Sequence, residues 1–109
     1  MVISLDESNF DQETSTGVTL VDFYADWCMP CKRMIPKVVS VAEALQGKVT
    51  VAKVDVDKQQ SLAKKYGVRS IPTFILFENG KPIGHSIGSK TEKDLLLFAE
   101  GKRKSGNGV

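Results

Sequence analysis

Two cysteines stand three residues apart in Trp27-Cys28-Met29-Pro30-Cys31, and the 109-residue chain has no others. Thiols at this spacing serve as half a zinc site, as a structural cross-link or as a redox couple. A tetrahedral zinc site takes four ligands from Cys, His or carboxylate. Two cysteines and the single His85, far along the chain, fall short of that set, so no metal is assigned. His85 itself reads as an exposed strand residue without chemistry. Lys32 follows Cys31, which rules out the CxxCH haem-attachment pattern. The pair ends an apolar stretch and opens a helical one. There the free N–H groups of the first turn and the helix macrodipole favour thiolate at Cys28. Pro30 suits a first turn, where its missing N–H is harmless. An inert pair of buried thiols is the plain alternative, and this setting favours redox chemistry over it.

The elements that must position the pair can be traced along the chain. Residues 2–5 are a short apolar segment, and Ser8-Asn9-Phe10-Asp11 carries N-cap chemistry for a short helix. Residues 19–25, rich in β-branched and aromatic side chains and apolar on both faces, read as a central strand covered by helices. From 30 to 46 the residues Ile35, Val38, Val39, Ala42 and Leu45 recur at helical spacing, with Gly47 as the stop. Residues 49–56 read as a strand, and Leu62, Ala63 and Tyr66 mark one face of a short helix ended by Gly67. Residues 73–77 and 82–87 flank Glu78-Asn79-Gly80-Lys81, whose Asn-Gly centre signals a hairpin. Capping-box patterns overlap at Ser89 to Glu92 and Thr91 to Asp94, ahead of a last helix through Leu95, Phe98 and Ala99. The order β-α-β-α-β-α-β-β-α implies an α/β domain with a mixed sheet between helical layers. The domain is expected over 1–101, and 102–109 reads as a solvated basic tail.

Composition narrows the function classes. Hydrophobic content of 41% with 26% charged residues is that of an ordinary globule. Lys102, Arg103 and Lys104 outweigh the net charge of +2, so the body is near neutral and no nucleic-acid surface is expected. No apolar run approaches the roughly 20 residues of a membrane span. The first residues lack the basic and apolar regions of a signal peptide. A soluble cytoplasmic protein is expected, and in a reducing compartment a lone cysteine pair points to catalysis rather than a permanent staple.

Several segments together carry a resemblance. Val21-Asp22-Phe23-Tyr24-Ala25-Asp26-Trp27-Cys28-Met29-Pro30-Cys31-Lys32, Val51-Ala52-Lys53-Val54-Asp55-Val56-Asp57, Tyr66-Gly67-Val68-Arg69-Ser70-Ile71-Pro72-Thr73, Phe77-Glu78-Asn79-Gly80 and Ile87-Gly88 resemble the thioredoxin family in order and spacing. The likeness spans about residues 2–100. It implies the thioredoxin fold, a five-stranded mixed sheet flanked by four helices. It also implies a general protein dithiol–disulfide oxidoreductase that reduces cytosolic protein disulfides, acts as a monomer and needs no cofactor of its own. Its partners would be disulfide-containing proteins and a thioredoxin reductase, which would hold any nicotinamide or flavin.

Roles follow at matching positions. Cys28, at the helix start, is expected as nucleophile, and Cys31, one turn inward, as the resolving thiol. Asp22 by itself reads as an acid at a strand edge facing water. The resemblance instead implies a buried aspartate that serves Cys31 as proton carrier through water, with burial raising its pKa. Lys53 by itself reads as a solvated strand lysine, and by resemblance as the partner of Asp22 across adjacent strands. Most X–Pro bonds are trans, yet the resemblance implies a cis Ile71–Pro72 bond facing the cysteines, with the Ile71 backbone pairing to an extended substrate. Trp27 reads as a rim residue and Gly88 as an open wall. With Met29 and Pro30 they complete a shallow contact patch for substrate. Pro36 is expected to kink the long helix, and Met34 and Ile35 read as packing residues.

Two positions depart from the family pattern. Met29 stands where glycine is common, and Tyr24 replaces an aromatic that is often tryptophan. Pro30 between the cysteines argues for a reductant. Met29 brings a polarizable group without charge, so the expected effect falls on partner or reductase recognition more than on potential. It is also open to sulfoxide formation. The rival readings are a dedicated electron donor to one metabolic enzyme and a thioredoxin-fold binding subunit. Intact Cys28, Cys31, Asp22 and Pro72 weigh against the second.

Overall fold

The computed structural model describes residues 1–101, and the 102–109 stretch read as a tail lies outside the described residues. Along the chain run β1 (Val2–Ser4), α1 (Phe10–Thr14), β2 (Val18–Tyr24), α2 (Met29–Ala44), β3 (Val49–Asp55), α3 (Gln60–Lys65), β4 (Thr73–Glu78), β5 (Lys81–Ile87) and α4 (Glu92–Ala99). The order matches the expected one. The strands form one sheet in the order β1-β3-β2-β4-β5. β1 and β2 pair parallel to β3, which their helical crossovers permit, whereas β4 runs antiparallel to both β2 and β5. β2 is therefore the middle strand.

Each face of the sheet is covered. Leu20, Val51, Phe74 and Leu76 pack under Met34, Val38 and Val41 of α2 and Leu95, Phe98 and Ala99 of α4. Val21, Phe23, Ala52, Val54, Ile75 and Phe77 pack on the other face with Leu5, Phe10 and Leu62. The rings of Phe10, Tyr66 and Phe77 meet there, with centroids 5.1–5.4 Å apart. Alternate residues of β2 thus belong to different cores, which is why both its faces are apolar apart from Thr19 and Asp22. Burying one large aliphatic side chain such as Met34 stabilises the fold by about 1.5–3 kcal/mol.

The structure corrects the apolar face expected for α2. Its buried residues are Cys31, Met34, Val38, Val41 and Ala42, with Leu45 buried at the C-cap. Ile35 and Val39 are exposed, so Ile35 is not a packing residue. Two overlapping stripes share helical spacing here, and periodicity cannot choose between them. Docking against the sheet, with Cys31 held beside β2, selects the stripe through Met34 and Val41. Pro36 lies within α2 on its exposed side.

Local chemistry explains several ends. Asn9 is the N-cap of α1, yet it makes no side-chain cap. Asp6 supplies the bonds instead, its Oδ1 accepting from the N–H groups of Ser8 at 2.8 Å and Asn9 at 3.0 Å. These bonds, with one from the Ser8 hydroxyl, hold the Asp6 carboxyl below its ordinary value. Of the two overlapping boxes ahead of α4, Thr91 is the N-cap, its Oγ1 accepting from the Asp94 N–H at 3.1 Å. Asn79 at φ 51° and Gly80 at φ 83° are both left-handed, as the two-residue hairpin turn requires.

Candidate active site

β2 delivers the chain to the start of α2 at one end of the sheet, and the two cysteines sit at that junction. Cys28 is the N-cap of α2, with extended backbone at φ −87° and ψ 109°. Its Sγ accepts from the Cys31 N–H at 3.2 Å, the bond a capping oxygen would make elsewhere. The two residues form a disulfide with Cα atoms 5.2 Å apart. Cys28 is the thiol expected as nucleophile. In the disulfide form it is only 4% exposed, because Tyr24, Ala25, Val56 and Ile71 pack around the pair. Its Sγ lies 3.9 Å from the Ile71 carbonyl oxygen.

Trp27 forms the rim, 68% exposed, and its indole N–H donates to Asp57 Oδ2 at 2.8 Å. Asp57 is held in turn by the loop after β3, its own N–H donating to Asp55 Oδ1 at 2.9 Å. Met29 is exposed and Pro30 half-buried beside the pair. The Ile71–Pro72 bond is cis, with Pro72 buried and Ile71 half-buried at the sulfur. The Gly88 N–H donates to the Pro72 carbonyl at 2.8 Å, which ties the end of β5 to this loop. Gly88 has φ +93°, and a Cβ built there meets nothing within 4 Å, so its wall is open. Glycine is required by that backbone rather than by crowding.

Asp22 lies beneath, in the middle of β2. It pairs with Lys53 on β3 and with Phe74 on β4, so all three side chains share the face under α2. The carboxyl is 6% exposed, and its Oδ1 has no hydrogen-bond partner among the described residues. Burial pushes its pKa up from 3.8 to about 7, while the charges of Lys53 and Lys90 oppose the rise. A cleft of about 140 Å³ joins Asp22 to Cys31, with Asp26, Lys32, Ile35 and Lys53 at its walls. Ile35, misread as core, stands exposed at this cleft.

The structure thus gathers Cys28, Cys31, Trp27, Met29, Pro30, Ile71, Pro72 and Gly88 at one end of the sheet, with Asp22 and Lys53 below them. Asp57 and Lys90 belong to the same region, and sequence reasoning passed over both. Asp57 appeared only as the end of a strand motif, and Lys90 only as a residue inside overlapping caps. Neither position carries a local signal of the residue it meets. Among the described residues, no three His, Cys, Asp or Glu side chains are grouped as metal ligands would be.

Known proteins share this arrangement of sequence. The family model described as Thioredoxin matches residues 1–100. A thioredoxin of Staphylococcus saprophyticus is 40% identical over 99 residues, covering 91% of this chain and 95% of that protein. Those of Staphylococcus haemolyticus and Staphylococcus aureus are 40% and 39% identical over 94 residues, covering 86% of this chain and 90% of theirs.

Proposed function

The chain belongs to the thioredoxin family and is a dithiol–disulfide oxidoreductase with Cys28 and Cys31 as its redox-active pair, and from that premise we propose that it is a general cytosolic reductant of protein disulfides. Membership implies, in general terms, disulfide-bearing proteins and a recycling reductase as partners. The finer reading is a monomer that transfers electrons from a thioredoxin reductase to many proteins and binds no cofactor itself. No helix among the described residues is long and apolar enough to cross a membrane.

In this reading the reduced Cys28 thiolate attacks one sulfur of a substrate disulfide. An S–S bond to Cys28 forms, the substrate's own S–S bond breaks, and the electron pair leaves on the second substrate sulfur, which takes a proton. Cys31 then gives its proton to Asp22 through water in the shared cleft, and its thiolate attacks Cys28 Sγ. The Cys28–Cys31 bond forms, the mixed disulfide breaks, and the substrate departs as a dithiol. Holding both thiols on one turn makes the second attack effectively unimolecular. A carboxyl near 7 suits the transfer, since a base matched to working pH is most effective. Lys53 tempers the burial of Asp22. The open Gly88 wall, the Ile71 backbone and the cis Pro72 loop receive an extended substrate segment, and Trp27, Met29 and Pro30 form its apolar rim.

The observation that carries the reading is the disulfide at the α2 N-terminus, facing Ile71–Pro72 and sharing a cleft with buried Asp22. The test is reduction of a structurally unrelated protein disulfide by wild type and Cys31→Ser. Wild type is expected to turn over with a reductant supplied, and Cys31→Ser to stall as a covalent Cys28–substrate adduct seen by mass spectrometry. Normal turnover by Cys31→Ser would refute the assignment.

A further inference from the structure

The connection between β5 and α4 carries a charge that the reaction as described leaves unused. Lys90 is half-buried there, its Nζ 4.8 Å from the centroid of the Phe74 ring and donating to the Gly88 carbonyl at 2.6 Å. Phe74 is the β4 partner of Asp22, and Lys53 is its β3 partner. The buried acid therefore has a lysine toward each neighbouring strand. The backbone at Lys90 is pinned as well: Lys37 Nζ of α2 donates to the Lys90 carbonyl at 3.1 Å, and Ser40 Oγ donates to Glu92 Oε2 at 2.6 Å. A lysine stem ordinarily carries its ammonium out to water. This one is turned inward onto a ring face, a carbonyl and the field of a carboxylate.

We propose that Lys90 is a positioning residue of the exchange reaction, supplying the second cation that holds Asp22 in its carboxylate form for the Cys31 proton while clipping the Gly88 wall against the Pro72 loop. The proposal rests on the reading of Asp22 as proton acceptor. Burial favours the protonated form of Asp22, and the charges facing it favour the carboxylate. Lys53 of β3 and Lys90 of the β5–α4 connection do so. Tyr24 and Asp26, at the end of β2, and Cys31 and Lys32 of α2 share the cleft with Asp22. β4 presents Phe74 and no titratable group at this point. Lys90 in turn is faced by Lys37 of α2 and Asp94 of α4. Burial makes its ammonium easier to deprotonate, and the charges of Asp94 and Asp22 act against that. The Gly88 contact links the same ammonium to the substrate wall, because the Gly88 N–H holds the Pro72 carbonyl.

The test compares wild type, Lys90→Met, Lys90→Gln and Lys90→Arg, each alone and combined with Asp22→Asn. Asp22 is titrated by carboxyl-carbon NMR in the oxidised proteins that retain it. The reduced proteins are mixed with a chromogenic aromatic disulfide in stopped flow. Two coloured thiolates are then released in turn, and the second release reports attack by Cys31. Removing the charge is expected to raise the Asp22 midpoint by about half a pH unit, less than the roughly one to three of a charge in direct contact. The pH profile of the second release should move by the same amount, Lys90→Arg should stay near wild type, and the Asp22→Asn background should abolish the effect. Superimposable Asp22 titrations in wild type, Lys90→Met and Lys90→Gln would overturn the proposal. So would an equal rate loss with and without Asp22. If Asp22→Asn alone leaves the second release unchanged at every pH, the proton-acceptor reading falls and the kinetic half of the proposal with it. The titration curves distinguish that failure from a failure of Lys90 to act on Asp22.

Discussion

Replacing Asp22 by asparagine tests the energetic consequence of a carboxyl held inside the sheet. Below pH about 4 the carboxyl is protonated in both folded and unfolded chains, and its charge contributes nothing to stability. Between about 4 and 7 the unfolded chain ionises while the folded protein keeps its proton, so stability falls as pH rises. Above about 7 the loss is complete. The interval from 3.8 to about 7 corresponds, at about 1.4 kcal/mol per pH unit, to about 4 kcal/mol. An asparagine side chain cannot ionise, so the variant escapes this penalty. Urea unfolding of the oxidised proteins at pH 4, 6 and 8 measures it. With a slope of about 2 kcal/mol per M, the variant's midpoint should gain up to about 2 M on wild type between pH 4 and 8. Any pH-independent offset belongs to the amide itself, whose NH₂ also needs a partner. A stability difference that stays constant over that range would sink this account, because it would mean that Asp22 is ionised in the fold at no special cost.

Two other substitutions probe the frame and the rim. Thr91→Ala removes the side chain that accepts from the Asp94 N–H and should lower stability by about 1 kcal/mol, with Thr91→Ser restoring most of it; equal urea midpoints for all three would show that the cap contributes nothing. Met29→Gly deletes an exposed side chain beside Cys28 and should change KM unequally among several protein disulfides, leaving the equilibrium with glutathione nearly unmoved. A large shift of that equilibrium with uniform rates would place Met29 in the chemistry instead.

Much of the arrangement is legible in the sequence itself. Strong local chemistry announced the hairpin at Asn79-Gly80, the helix stop at Gly67 and the opening of α2 at the cysteines, since each follows from the backbone preferences of a few adjacent residues. The resemblance located Asp22, Lys53, Ile71, Pro72 and Gly88, which no pattern of spacing would have brought together. Where reasoning failed, two local patterns competed. Ile35 and Val39 belong to a stripe as periodic as the one that packs, and only the sheet breaks the tie. Ser8 and Asn9 offered cap chemistry, yet Asp6 turned back to supply the bonds.

Residue types and short-range spacing set the chemistry available: one thiol pair, too few ligands for zinc, a helix to favour thiolate, and an acid inside an apolar strand. The covalent chain fixes those types and spacings, and the helix acts on the thiol once it forms. What each group experiences was settled by packing. Asp22 is forced toward neutrality because packing under α2 strips away most of its water, and two lysines from distant segments oppose that. Trp27 is steadied by Asp57, thirty residues on, and Lys90 lies over the Phe74 ring while Lys37 of α2 holds its backbone carbonyl. Burial and electrostatic fields depend on what the whole chain places nearby, so no window of sequence contains them.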